Sequence, residues 1–462
     1  MRKLVFLALP ALALAPLMAC EDDSVGGGPS PTFDAGLSDW SAPPTTFDGS
    51  TPDATPDAPV VPAVSVTVTS VAGPKADVRV VFHDASGAVL DTKLTGGDGK
   101  ATHTGATPAM VSALVMSGSR HDIVTWTGVE DGDDLQLRAD ESGEEVGMYS
   151  VALSSMPDGG VGIIDVESPC SDNQTYGTAT ELPMYRYCTR AQNAVLATAR
   201  TYSGTVVSHA FKKGNPGVSD GGTGAITLGD FKAPSSFSMT VANLPGESRF
   251  DATLLEIADG AGFRNRWDSW EGSTVTYPTA TSFAEAYQAT ASFGIFGTAR
   301  AITKRIAPAA SVEFDYADLL PAIESAVVDA SNPRRPVVSW EAAAPTTDAD
   351  GGLVRFSFSG PEGWDYSWTF VVAPGATSVT APAMPPDAES FLPPAPDSGV
   401  DAMFSPPKIL VVEADVLPGY AAFRRQQGVV LGPEAMYLND GTLPALPVNG
   451  TFRTSIWAEV PR

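Results

Sequence analysis

Cations, histidine and cysteine are all scarce in this chain, and each scarcity closes off a kind of chemistry. Only 28 Lys and Arg stand against 54 Asp and Glu, a formal net charge of -26 over 462 residues. A body this acidic repels phosphate backbones, which argues against any nucleic-acid partner. It also repels anionic lipid surfaces, and its plain consequence is solubility. Four histidines (His83, His103, His121 and His209) and three cysteines leave little from which to build a zinc centre. No His-Glu-x-x-His occurs, and no cofactor is expected. Charged residues make up only 18% of the chain and Glu-Lys-Leu-rich stretches are few, so long surface helices are not expected. Beyond the first 20 residues no apolar run approaches the roughly 20 residues that span a bilayer.

What is present begins at the N-terminus. Arg2 and Lys3 precede an apolar run from Leu4 to Ala19, interrupted by Pro10 and Pro16 and followed by acid. At 16 residues it is short for a span, and it reads as a cleaved secretion signal. Its last residues, Leu17-Met18-Ala19-Cys20, resemble the lipobox of bacterial lipoproteins. The resemblance implies that Cys20 is lipidated, becomes the mature N-terminus and carries several acyl chains, because one chain binds a membrane only marginally. It also implies an outer-membrane address, since Glu21 is not the Asp that marks inner-membrane retention in enterobacterial lipoproteins. Cleavage near Ala19 or Cys20 by an ordinary signal peptidase is the alternative. Loss of Arg2 and Lys3 with the signal takes the formal charge from -26 to -28.

Cys170 and Cys188 remain, an even pair in an exported chain, which points to one disulfide. Such a bridge would contribute about 3 kcal/mol for a loop near 15 residues. A pair of free thiols is the alternative.

Residues 21–62 are dominated by Pro, Asp, Gly, Ser and Thr and have no apolar periodicity, so they read as a disordered linker. A flexible stretch of about 40 residues reaches roughly 30–40 Å, enough to space a folded body from a membrane. The folded part is expected to be all-β, as tandem β-sandwich domains (Ig-like or transthyretin-like) at 63–143, 144–305 and 306–462.

In the first of these, Val64, Val66 and Val68 alternate with Ser and Thr, and Val78, Val80 and Phe82 alternate again. Turns are expected at Asp84–Gly87 and Thr95–Ala101, and strands at 89–94, 110–115 and 123–129. The Val-x-Val-x-Phe strand, the Ser-Gly turn, the strand ending in Thr95 and Asp98-Gly99-x-Ala101 resemble the carboxypeptidase regulatory-like, or transthyretin-like, β-sandwich over residues 63–115. Gly96 stands where that family usually has an acid. The resemblance implies a structural or interaction module, and no His-x-x-Glu pattern brings carboxypeptidase chemistry with it.

The middle segment shows strands at 147–153, 162–166, 205–212, 237–241 and 253–257, with short helices suggested at Ala191–Ala199 and Phe283–Ala289. The last segment shows strands at 337–340, 354–358, 364–370, 409–412 and 452–460. Its Pro336-x-x-x-Trp340 and strand spacing resemble a fibronectin-type or immunoglobulin-like sandwich in architecture. Pro382–Pro407 reads as a long exposed proline-rich loop.

Catalytic motifs fail on inspection. Gly217-Val-Ser219-Asp-Gly221 matches G-x-S-x-G, but no helix can start after it, so it reads as a glycine-rich loop. Gly96-Gly-Asp-Gly99-Lys100 lacks the flanking Gly and Ser/Thr of a phosphate-binding loop and reads as a turn. The acidic turns Glu130–Asp134 and Asp348–Gly351 offer oxygen ligands of the kind calcium prefers, without EF-hand spacing; solvated turns are the plainer reading. Trp364, Tyr366, Trp368 and Phe370 share one face of a strand, which is sandwich core if it points inward and a sugar-stacking platform if outward. Trp267, Trp270 and Tyr277, in an Arg-flanked stretch, are the candidates for ligand contact. The chain is thus expected to be a non-enzymatic, lipid-anchored envelope protein. Its partners would be the membrane, through its lipid, and an envelope protein or glycan.

Overall fold

The structure, a computed structural model, describes residues 63–458 apart from short stretches, of which 186–193, 214–221 and 427–447 are the longest. Within them nearly every regular element is a strand, arranged in several sheets with no barrel. The first eight strands are β1 (Ala63–Ser70), β2 (Gly73–Pro74), β3 (Arg79–His83), β4 (Val89–Leu94), β5 (Lys100–Thr104), β6 (Met110–Ser117), β7 (Arg120–Thr127) and β8 (Asp134–Arg138). Turn chemistry sets their spacing. Asp84 accepts the amides of Ser86 and Ala88 at 2.8 and 2.9 Å, and Gly87 follows at φ +79°. Only a residue without a Cβ takes that conformation at no cost.

The middle strands are β9 (Glu145–Leu153), β10 (Val161–Glu167), β11 (Asp172–Thr175), β12 (Ala179–Tyr185), β13 (Val195–Thr201), β14 (Val206–Lys212), β15 (Gly222–Leu228), β16 (Ser235–Ala242), β17 (Arg249–Ala258), β18 (Ala261–Arg266), β19 (Trp270–Glu271), β20 (Thr274–Thr279), β21 (Ala286–Phe293), β22 (Thr298–Ile306) and β23 (Ser311–Asp315). Where they are described, the two stretches expected as helices enter strands instead. Residues 195–199 lie in β13, where Val195, Ala197 and Ala199 are buried, and residues 286–289 lie in β21. Alanine favours helix in isolation. Here β13 is held on both sides by β10 and β14, and β21 by β17 and β22, so pairing overrides propensity.

The rest comprises β24 (Ile323–Asp329), β25 (Val337–Ala342), β26 (Gly351–Gly360), β27 (Gly363–Val372), β28 (Ser378–Thr380), β29 (Lys408–Ala414), the five-residue helix α1 (Tyr420–Arg424) and β30 (Thr451–Ala458). The segment boundary expected at 305 falls inside β22, which continues to Ile306.

Most of the fold hangs on one thirteen-stranded sheet, in the order β18-β17-β21-β22-β30-β29-β26-β27-β7-β6-β3-β4, with β19 also on β17. It is mixed: β7 and β27 run parallel, placing Ile123 opposite Trp368, while β6 and β7 are antiparallel. Smaller sheets cover it. On one face Val80, Phe82, Val124, Trp126 and Leu410 pack on the sheet of β1, β2, β5 and β8. On the other, Val81, Ile123, Phe356, Trp368 and Phe370 pack on β24-β25-β28. Further along, β17, β21 and β22 form a core with β16, β20 and β23. Strands β9, β12 and β15 pack on β10, β11, β13 and β14. These are sandwich pairs arranged in tandem, as an alternating pattern requires.

The proline-rich segment after Ala381 is not an exposed loop where it is described. Ala381, Ala388 and Leu392 are buried and Phe391 and Phe404 pack beside them, over the face that carries Phe356 and Phe358. A short 3-10 turn at Pro386–Phe391 presents these apolar groups to the sheet. Proline fixes φ without needing an amide partner, so such a segment can cover a sheet without joining its ladder.

Candidate functional site

Of the strand 364–370 aromatics, Tyr366, Trp368 and Phe370 are 3%, 0% and 1% exposed. They are core, so none of these three offers a stacking face; the side chain of Trp364 lies outside the described set. Trp368 stacks on Phe370 with centroids 5.5 Å apart. Trp267 lies outside the described residues. Trp270 and Tyr277 are placed by backbone only, on different sheets: Trp270 opposite Phe250 of β17, and Tyr277 opposite Phe237 of β16. Cys20, Cys170, Cys188 and residues 217–221 also fall outside the described residues.

The acidic turn at 130–134 is occupied by arginine. Asp133, fully buried, accepts Arg424 Nε at 2.7 Å on one oxygen and Arg425 Nη2 at 2.7 Å on the other. Glu130 takes Arg424 Nη2 at 2.8 Å. Asp134 accepts the hydroxyl of Ser65 at 2.6 Å, and Asp131 that of Thr107. In the second acidic turn, Asp350 accepts the amides of Ala414 and Gly419 at 2.7 and 3.1 Å. Burial pushes its carboxyl above the usual range. Both turns therefore tie the 414–425 segment to the sheets. Among the described residues no group of three or more His, Cys, Asp or Glu could hold a metal ion.

A polar chain runs through the core. His83 Nε2 lies 3.0 Å from Ser112 Oγ, which lies 2.8 Å from Thr125 Oγ1, which accepts the Trp368 indole N–H at 2.9 Å. A serine beside a histidine is the start of a nucleophile. This one is sealed: His83, Ser112 and Thr125 are all 0% exposed. Burial drives the His83 pKa down to about 4, so the ring is neutral. Without access the chain satisfies buried hydroxyls and holds register between β3, β6, β7 and β27. Its signal in the sequence was the polar residues at inward positions of otherwise apolar strands.

A second buried group sits on the opposite face of β7. Asp122, also 0% exposed, accepts Arg120 Nε at 2.6 Å and Ser367 Oγ at 2.5 Å, with Arg355 Nη2 at 3.8 Å. His103 bridges Asp91, 3.0 Å away, and the Ala106 carbonyl. His121 stacks on Tyr366 at 4.5 Å, and His209 is lowered to about 4 by burial.

Two concavities lie among the described residues. A void of about 10 Å³ lined by Trp340, Gly352, Val372 and Ile409 has room for one water. A shallow groove of about 270 Å³ crosses Ser150–Ala152 and Ala179–Glu181 and offers only small side chains and one carboxylate. The exposed apolar groups are more telling. Val89, Leu90 and Leu94 crowd onto β4, and Tyr176 and Tyr202 stand out on turns. Among the described residues no helix is long and apolar enough to cross a membrane.

No family model matches the chain, and no curated protein matches it in sequence. Similar solved structures include a Bacteroides eggerthii protein proposed to act in cell adhesion, at 11% identity over 36% of this chain and 80% of that one, TM-score 0.15. The Bacillus anthracis TIE protein is similar at 10% identity over 55% of this chain and 50% of that one, TM-score 0.16. The FN1-FN3 domains of chicken CNTN1 are similar at 9% identity over 58% and 93%, TM-score 0.15. At such TM-scores these likenesses carry no argument, and the all-β assignment rests on the strands themselves.

Proposed function

We propose that this chain is a non-enzymatic, lipid-anchored protein of the cell envelope that presents tandem β-sandwiches for a structural or interaction role. The observation that carries the reading is the N-terminal run that closes on Leu17-Met18-Ala19-Cys20. Cys20 takes the lipid, residues 21–62 are the spacer, and the outer membrane is the address. The carboxypeptidase regulatory-like resemblance of residues 63–115 belongs to the same reading, as an interaction module. So does a Cys170–Cys188 disulfide. Supporting a non-catalytic role, the described groups with catalytic potential are occupied within the fold: His83 and Ser112 by each other, Asp122 by Arg120 and Ser367, and Asp133 by two arginines.

Fractionation of cells carrying Cys20→Ser tests the anchor. The variant is expected in the soluble fraction, and continued membrane association would overturn the reading. Mass spectrometry without reductant tests the bridge, which two free thiols would refute. A glycan- or protein-binding role now rests on Trp267, Trp270 and Tyr277, since Tyr366, Trp368 and Phe370 are core. Loss of glycan-array or envelope binding on joint Trp267→Ala and Trp270→Ala substitution would support it.

A further inference from the structure

Strand β4 ends the large sheet and, among the described residues, pairs with β3 alone. Its backbone pattern tells which groups face outward. The Thr95 amide donates back to Val78, so the odd-numbered residues turn toward β3, and Thr92 and Leu94 turn their N–H and C=O groups out. The outward Thr92 amide is held by the neighbouring Asp91 carboxylate at 2.8 Å. An open edge is a template for another strand, and proteins commonly guard it with lysine. Here the guard, Lys93, comes with its own complement: Asp91 lies 3.3 Å from the Lys93 ammonium. Three of the six side chains are large, apolar and exposed, at 39% for Val89, 41% for Leu90 and 54% for Leu94.

We propose that β4 is a self-association edge, at which two copies of this chain pair antiparallel about a twofold axis through Thr92. In that register Asp91 of each copy lies opposite Lys93 of the other, and Leu90 opposite Leu94. The charges select the register. An axis through Asp91 sets carboxylate against carboxylate, and an axis through Lys93 sets ammonium against ammonium, both unfavourable across a ladder. An axis through Thr92 forms both ion pairs and both leucine pairs, and lets the Thr92 amide exchange its Asp91 contact for a carbonyl of the second copy. The pattern is complementary to itself, which fits a second copy rather than an unlike partner. Such an interface is isologous and closes at two chains. A junction of six residues buries less than the roughly 1,200 Å² of stable complexes, so dissociation falls in about the 10 μM to 1 mM range.

Sedimentation equilibrium of the full chain in density-matched nonionic detergent, from about 10 μM to 1 mM, reads the association directly. A monomer–dimer equilibrium is expected. Lys93→Asp sets like charges opposite each other and weakens dimerisation by about tenfold or more. Asp91→Lys combined with Lys93→Asp restores it, a recovery that a general charge effect does not produce. Thr92→Pro removes the central outward donor while leaving the β3 ladder intact, and abolishes the dimer. Because Asp91 also binds His103, circular dichroism melts accompany each variant. If the swap variant does not fold, Lys93→Asp, at a half-exposed side chain, and Thr92→Pro decide the matter. A monomer throughout the range overturns the proposal. So does a dimer indifferent to both Lys93→Asp and Thr92→Pro, or growth beyond two chains through the sheet's other end at β18.

Discussion

Trp368 fills the space between the large sheet and β24-β25-β28, and its indole N–H ends a line of three buried polar groups. Trp368→Ala is expected to cost about 3–5 kcal/mol, through lost burial plus the cavity left behind. Trp368→Phe keeps much of the packing and removes one donor, for about 1–2 kcal/mol. Urea denaturation separates the two. His83 adds a pH dependence. Its folded pKa of about 4 lies below the ordinary 6.5, so the unfolded chain binds the extra proton between those values. Stability from this group is whole above pH 6.5 and is lost as pH falls through 6.5 toward 4, by up to about 3 kcal/mol. His209, lowered by burial in the same way, acts in the same window. Unfolding measured from pH 7 to 4 is expected to fall less steeply in His83→Gln than in the parent. Equal slopes would show that His83 protonates freely in the folded state. Turn residues such as Asp84 and Gly87 were legible in the sequence because turn chemistry is local. The His83–Ser112–Thr125–Trp368 line was not, because its members come from four strands and only the sheet brings them together.

Among the elements, α1 is the one least able to stand alone. Five residues form barely more than one turn, too short to persist in water. Side chains hold it instead. Arg424 is buried on Asp133, Tyr420 donates its hydroxyl to the Thr127 carbonyl at 2.7 Å, and Phe423 lies against Gly351, where a Cβ would collide with the ring. Asp133→Asn takes the shared buried carboxylate away from Arg425 and leaves Arg424 with Glu130 alone, and is expected to cost about 3–5 kcal/mol. Faster limited proteolysis near Arg424 and Arg425 would report the release of α1. The same logic explains the 195–199 and 286–289 stretches. Their alanines fit a helix or a strand equally well, and the choice falls to the partners on either side. Where alternation was strong, as in Val64–Val68 or Val354–Phe358, pattern and structure coincide, because period two commits one face to a core.

On the scale of the molecule, the thirteen-stranded sheet joins strands from far apart in the chain. β7 lies against β27, and β30 lies between β22 and β29. Folding therefore requires contacts of long sequence separation. Ser367, for example, donates to Asp122 across 245 positions. Thr454 in β30 is 6% exposed and pairs with Ala301 on one side and Val412 on the other. Thr454→Pro removes a ladder donor from a central strand, at about 3 kcal/mol or more. A lowered denaturation midpoint, together with loss of hydrogen-exchange protection in both β22 and β29, is the expected result. A fragment of residues 63–143 alone would lack β27 and the cover over Ile123. It is expected to show a broad thermal transition with little cooperativity by calorimetry.

Sequence alone determined the strand-rich class, the strong net negative charge, and many of the turns, because these depend on composition and on neighbours a few residues away. It also carries the Leu17–Cys20 signal, on which the proposed anchoring rests. Tertiary structure alone decided that the 364–370 aromatics face inward and that the acidic turn binds arginine. It also decided that proline-rich residues near 381–392 cover a core face and that β4, among the described residues, pairs on one side alone. Each of these depends on which distant strand or segment arrives at a surface, and that information lies in pairing across hundreds of residues rather than in any local pattern.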